Sequence, residues 1–269
     1  MSKRQTGFLR SLRIIPSLFK ISILTDMEFR FNISLKVFAD VLWYLGQVAV
    51  FEVLFYHSPV IGGWDKQQMR VFIFTLFTVD AMYMVLFSEN LDQLPTRIAK
   101  GDLDMVLLKP INGQLMVSLQ KINSAYLLNL TFMFFALAYS LTQISQTVTP
   151  FGVMTLVIAM LCGLSMLYTG RLFFSGLSVL FGNAPSIVQV WYQIFRLGTR
   201  PDPLYPSWLR YIVLSVLPMA FLASVPARMI IEPFSIWLFL ASVFVGAGSL
   251  AFSVVYWKFI MKRYSSASS

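Results

Sequence analysis

The sequence predicts an all-α polytopic membrane protein with six transmembrane helices, preceded by an interfacial amphipathic helix. Three observations point there. Of 269 residues, 57% are apolar or aromatic, and the mean hydropathy is +0.71. Only 12% are charged, against about 25% in an ordinary soluble domain, so a soluble globule of this length would lack the polar side chains to cover its surface. The remaining charges cluster between apolar runs. Seven Lys and Arg precede residue 37, four lie between Glu89 and Lys121, and three lie from Lys258 onward, for a net charge of +9. That alternation is the positive-inside pattern of an integral membrane protein. Nucleic-acid binding would instead require a basic face on a soluble module, so no nucleic-acid partner is expected.

Residues 1–36 contain no apolar run long enough to span. Phe8, Leu9, Leu12, Ile14, Ile15, Leu18 and Phe19 alternate with Arg10, Arg13 and Lys20, the pattern of an amphipathic helix lying on the membrane, bent at Pro16. The apolar stretch is too short and broken for a cleaved signal peptide. The first span is read as Val37 to Tyr56, closed by His57, Ser58, Pro59 and Gly62-Gly63. A hydrocarbon core needs about 20 helical residues. The second span is Met69 to Phe87. A polar stretch, 88–121, follows, in which Leu91, Leu94 and Ile98 fall on one helical face. Ile122 to Leu141 is the third span, and Phe151 to Gly170, stopped by Arg171, is the fourth. Phe234 to Trp257 is the last, followed by the tail 258–269. The chain thus divides into an interfacial segment 1–36, a transmembrane domain 37–257 with a cytoplasmic loop 88–121, and the tail.

Residues 171–231 can be read two ways. Either Leu172 to Phe195 is the fifth span and Trp208 to Ile231 enters and leaves one face as a broken hairpin, or 171–206 stays on the inner face and Trp208 to Val225 crosses. Both give six spans, with the N-terminal segment, the 88–121 loop and the tail on the cytoplasmic side. The second reading places Arg196, Arg200 and Arg210 on that side, as the charge rule prefers.

The rare residues exclude much chemistry. One cysteine, Cys162, and one histidine, His57, leave no Cys/His metal cluster and no histidine base with an evident partner for a nucleophile. No Gly-Lys dipeptide occurs, so a phosphate-cradling G-x-x-x-x-G-K-[ST] loop is ruled out. The chain is therefore expected to carry no cofactor, no metal and no catalytic residue. Among the acids, Asp80 falls near the middle of the second span, Glu52 in the outer half of the first and Asp40 near its inner end. An intramembrane carboxylate must face the protein interior, a water-filled path or a partner, so Asp80 is read as a helix–helix hydrogen-bonding group, a substrate-path residue or a proton carrier. Asp40 is read as interfacial. Trp43, Trp64, Trp208 and Trp257 fall near span ends and suit interfacial belts, and Gly246, Ala247, Gly248 and Ser249 permit close helix packing, as at a dimer interface.

The stretch Arg97 to Ile111, RIAKGDLDMVLLKPI, resembles the central loop of a family of ABC-transporter permeases of the bacterial type-2 export class, with the pattern I-x-x-G-x-L-D-x-x-L-L-[KR]-P-[IV]-[NS]. Glu28-Phe29-Arg30 before the first span, Leu204-Tyr205-Pro206-Ser207-Trp208-Leu209-Arg210 with Pro218 and Pro226-Ala227, and Trp257 with Lys262 to Ala267 resemble that family's other segments in order. The resemblance implies a permease half of an ABC exporter in the bacterial inner membrane, with both termini cytoplasmic. Its partners would be a second permease subunit, identical or similar, membrane lipid, and separate ATPase subunits carrying ATP and Mg. It favours the hairpin reading of 208–231. It also makes 88–121 the ATPase-coupling element: Ile98 on the amphipathic helix, Gly101 for a tight turn, Leu103, Leu107 and Leu108 buried in an ATPase groove, Asp104 capping a short helix, and Lys109-Pro110 ending it. Asp80 and Glu52 would line the substrate path. An ion-coupled secondary transporter and a non-transporting membrane assembly subunit are the alternatives.

Overall fold

The computed structural model describes residues 16–17, 19–22, 24, 30–109, 112–182 and 185–264. Five helices among them are long and apolar enough to cross a membrane: Val37–His57, Lys66–Lys100, Ala125–Gln143, Pro150–Phe181 and Ile236–Met261. The all-α bundle is as expected, but six full-length helices are not present among the described residues. Most of the N-terminal amphipathic segment, and Glu28-Phe29 of the motif before the first span, lie outside them. The described residues between 16 and 24 are helical, and Ser22 Oγ accepts a hydrogen bond from the Ile122 amide at 3.1 Å.

Helix α1 (Arg30–His57) leads into a two-stranded hairpin, β1 (Val60–Ile61) and β2 (Trp64–Asp65). Gly62 and Gly63 have φ of 61° and 85°, which a two-residue hairpin turn of this hand demands and which side chains with a Cβ resist. Asp65 then caps α2 (Lys66–Tyr83): its carboxylate accepts from the Gln67 and Gln68 amides at 2.8 Å each, and the Gln68 side chain accepts from the Asp65 amide. This reciprocal pairing satisfies helix-end donors that would otherwise be orphaned.

The second span does not end at Ser88. A π-helical turn (Met84–Ser88) passes it directly into α3 (Glu89–Lys100). Two backbone irregularities are compensated locally, as a low-dielectric environment requires. The Val85 carbonyl in the π turn accepts from the Asn123 amide at 3.0 Å. Pro95 cannot donate to the Leu91 carbonyl, and Ser175 Oγ supplies that hydrogen bond instead at 2.8 Å. Buried Asn90 then clamps the chain entering the third span, donating to the Lys121 carbonyl and accepting from its amide. Two short helices, α4 (Leu103–Leu107) and α5 (Gly113–Leu119), precede α6 (Ala125–Gln143).

The fourth span also overruns its expected end. Arg171 does not leave the bundle: it is almost wholly buried and its Nε lies 2.8 Å from Asp92 Oδ1, with its guanidinium 5.1 Å from the Tyr192 ring centre. A basic residue paired in this way need not stop a helix. α7 (Pro150–Gly176) therefore continues to α8 (Ser178–Phe181) and breaks only at Gly182, with φ 72° and ψ −166°, a conformation open essentially to glycine. The continuous fifth span from Leu172 to Phe195 is thus replaced by the end of the fourth helix and a separate eleven-residue helix, α9 (Pro185–Phe195).

The contacts order the rest. Gly246 of α12 (Ile236–Met261) faces Cys162, and Ile260 faces Gly176, so α7 and α12 run side by side in the same sense. The chain between them must return. Trp191 packs on Gly170, Gly198 on Leu222, and Pro203 on Gly62 of the β-hairpin, so 185–204 climbs from the basic end of the bundle to its β-hairpin end. Residues 207–231 then form a hairpin of α10 (Ser207–Leu214) and α11 (Ser224–Ile231). Its tip, Phe221-Leu222, lies on Gly163, while Ile230 has risen again to Gly152, on the order of 16 Å along α7 at 1.5 Å per residue.

Buried Asp202 anchors this hairpin. Its Oδ2 accepts from Arg210 Nε at 2.9 Å on the descending limb and from Arg228 Nη2 at 2.8 Å on the ascending one. Trp64 Nε1 donates to Glu232 at 3.3 Å, and Arg228 lies over the Trp64 ring. Trp64 and Trp257 are accordingly buried within the chain rather than set in interfacial belts, whereas Trp208 is exposed. Gly246 and Ser249 serve packing inside the chain as well: their carbonyls accept from Ser165 and Thr169 of α7.

Candidate functional site

Two features stand out, one at the basic end and one within the bundle. At the basic end, α3 stops on Gly101 at φ 76°. The Asp102 amide donates to the Arg97 carbonyl at 3.0 Å and the Gly101 amide to the Ile98 carbonyl at 3.2 Å, the Schellman arrangement that a left-handed residue makes possible. The turn lets α4 fold back at once.

α4 is divided by burial. Leu103 and Val106 are buried, and so is Ile98 before them, whereas Met105 is 72% and Leu108 81% exposed. Leu107 is partly exposed beside Gly113, and Lys109 is exposed. Ile98 and Leu103 therefore hold the tip in place from inside the chain and are not free to dock elsewhere. The helical face of Leu91, Leu94 and Ile98 is real, and all three are buried in the chain's own core. Asp104 does not cap α4: the helix begins at Leu103, the position before it is Asp102, and no side chain caps it. Asp104 instead neighbours Tyr264 just beyond α12, and burial first, then that carboxylate, raises the Tyr264 phenol above its ordinary value. Pro110 lies outside the described residues.

Behind the tip, α5 is tied to two long helices by buried polar groups. Gln114 Nε2 donates to Tyr168 Oη of α7 at 3.1 Å and to Ser253 Oγ of α12 at 3.0 Å, and Ser118 Oγ lies 2.9 Å from the same phenol. A satisfied buried network of this kind is stiff, so α5 is held to α7 and α12 as one unit.

The second feature is a cavity of about 1160 Å³ bounded by α1, α2, α6, α9 and the returning chain as far as Leu209. Asp80 of α2 and Asp40 of α1 line it with Tyr44 and Tyr126, and Gln189, Tyr192, Arg196 and Arg200 line it from the returning segment. Asp40 accepts from Asn129 Nδ2 at 3.0 Å. Asp80 is 9% exposed, and no hydrogen bond or ion pair involves its carboxylate among the described residues. Glu52 is not part of this wall. Its carboxylate is held by Lys66 and Arg70 of α2, a partly exposed cluster at the β-hairpin end.

The structure thus brings Asp80 to a cavity, leaves Glu52 out, and adds Asp40, Arg196 and Arg200. The polar interruption Gln189 in an apolar run was the sequence signal for this wall. Met105 lay inside the coupling motif as a variable position, and its exposure is a property of the α4 register. A family model described as ABC-2 family transporter protein matches residues 41–268. No curated protein and no solved structure matches the chain.

Proposed function

This chain belongs to the ABC-2 transporter family, and from that premise we propose that it is the permease subunit of an ATP-driven exporter that works as a dimer with separate ATPase subunits. The observation that carries the coupling is the divided α4. An exposed apolar tip, Met105 and Leu108 flanked by Lys109, stands on a base of buried Ile98 and Leu103. An apolar tip on a rigid base suits docking into a groove of another protein, with the anchor residues supplying the energy.

The basic end faces the cytoplasm of a bacterial inner membrane, placing both termini there. The membrane is crossed six times: five long helices and the broken return through 185–204. ATP and Mg reside on the ATPase subunits. Their closure pushes α4, the Gln114–Tyr168–Ser253 network passes the displacement to α7 and α12, and the cavity beside Asp80 changes its access between the two membrane faces. Affinity purification of this chain from its native membrane tests the assembly. A soluble ABC ATPase is expected to co-purify, and proteoliposomes holding both are expected to move substrate only with ATP. Gradient-driven transport by this chain with no ATPase present would contradict the reading.

A further inference from the structure

The wall of the cavity carries an unmet electrostatic demand. Asp80 is nine-tenths buried yet lines the cavity, and no hydrogen-bond donor or cation reaches its carboxylate among the described residues. A second acid, Asp40, lines the same cavity. Within a helix bundle at membrane depth, an ionised carboxylate requires a counter-charge or a polar partner, and a neighbouring acid disfavours the ionised form further unless a cation sits beside it. The basic residues of the same cavity, Arg196 and Arg200, come from the returning segment, and Arg196 is engaged with Gln193 at 3.4 Å. Tyr44 and Tyr126, on the other hand, line the cavity along with Asp80, and aromatic rings attract cations.

We propose that the Asp80 end of this cavity is a cation subsite, so that the molecules it admits are amphiphiles bearing an amine or another positive group beside apolar or aromatic surface. The proposal rests on the reading of the cavity as the substrate path, and it goes further by naming the substrate class. The volume, about 1160 Å³, is ample for a drug-sized cation with its apolar body.

The test uses the full chain in phosphatidylcholine nanodiscs without ATPase, with tetraphenylphosphonium as the probe and tetraphenylborate, of the same shape and opposite charge, as its control. Saturable tetraphenylphosphonium binding is expected. Asp80→Asn should weaken it at least tenfold, and Asp80→Glu, which keeps the charge, should hold it within about threefold. Tetraphenylborate binding should not depend on residue 80. Equal phosphonium affinity in the parent and Asp80→Asn proteins, or no saturable phosphonium binding, would overturn the subsite. Because binding is read without ATPase, the path is tested separately: loss of ATP-driven phosphonium efflux with binding intact would overturn the path and leave the cation subsite standing.

Discussion

Leu108→Asp is expected to lower substrate-stimulated ATP turnover of the assembled transporter by more than about tenfold, because setting a carboxylate into an apolar groove costs on the order of 2 kcal/mol or more. Leu108 is 81% exposed in the isolated chain, so the same substitution should leave membrane insertion and thermal stability unchanged. Leu103→Asp must behave differently. Leu103 is fully buried, so a charge there should unfold the basic end and reduce the yield of folded protein. The pair separates docking from positioning within one short helix. Normal ATPase coupling in Leu108→Asp, measured in nanodiscs with both subunits, would remove α4 as the coupling tip.

Asp202→Ala carries the second large effect. The Asp202 side chain is 1% exposed and holds Arg210 and Arg228 at once. Its loss leaves the buried Arg228 guanidinium with only its longer pairing to Glu232, at 3.4 Å, a defect worth about 3 kcal/mol. At about 2–4 °C per kcal/mol for a chain of this size, the unfolding midpoint in detergent should fall by roughly 10 °C. Asp202→Asn keeps an acceptor and should lose less. The descending and ascending limbs of the hairpin should loosen together, raising proteolytic sensitivity across 207–231. An unchanged midpoint would mean that Phe221 and Leu222 packed on Gly163 hold the hairpin without the ion pairs.

The spans were legible because membrane helices declare themselves by length and apolarity, which local sequence carries. Their ends were less so, since ends are set by distant partners. Arg171 reads as a stop residue, yet Asp92, far away in sequence, lets it stay inside a helix. Ser88 and the charges after it read as the end of the second span with a separate amphipathic helix beyond, yet the chain runs on helically through Ser88, and the Asn90 clamp and the Ser175 hydroxyl keep α3 packed through Pro95. The periodicity of Leu91, Leu94 and Ile98 gave the buried face correctly, but not what covers it. That face meets this chain's own core and not another protein. Among the candidate site residues, Asp80 is singled out by its depth in a span, and it lines the cavity. Glu52 stays off the cavity wall because its partners Lys66 and Arg70 lie on the next helix. The divided exposure of α4 could not be read from its sequence, where apolar residues run on without a polar face.

The most direct test of the account is site-directed cross-linking of the assembled complex. Cys162 is the single native cysteine, so a Cys162→Ser background makes any new cysteine unique. Leu108→Cys, treated with a short thiol-to-amine cross-linker, should join the chain to the ATPase subunit. Val60→Cys, exposed on the opposite β-hairpin end, should not. ATPase attachment from Leu108→Cys alone is the predicted result. A complex that stays intact but cross-links from Val60→Cys and not from Leu108→Cys would contradict the coupling surface and the orientation of the chain together.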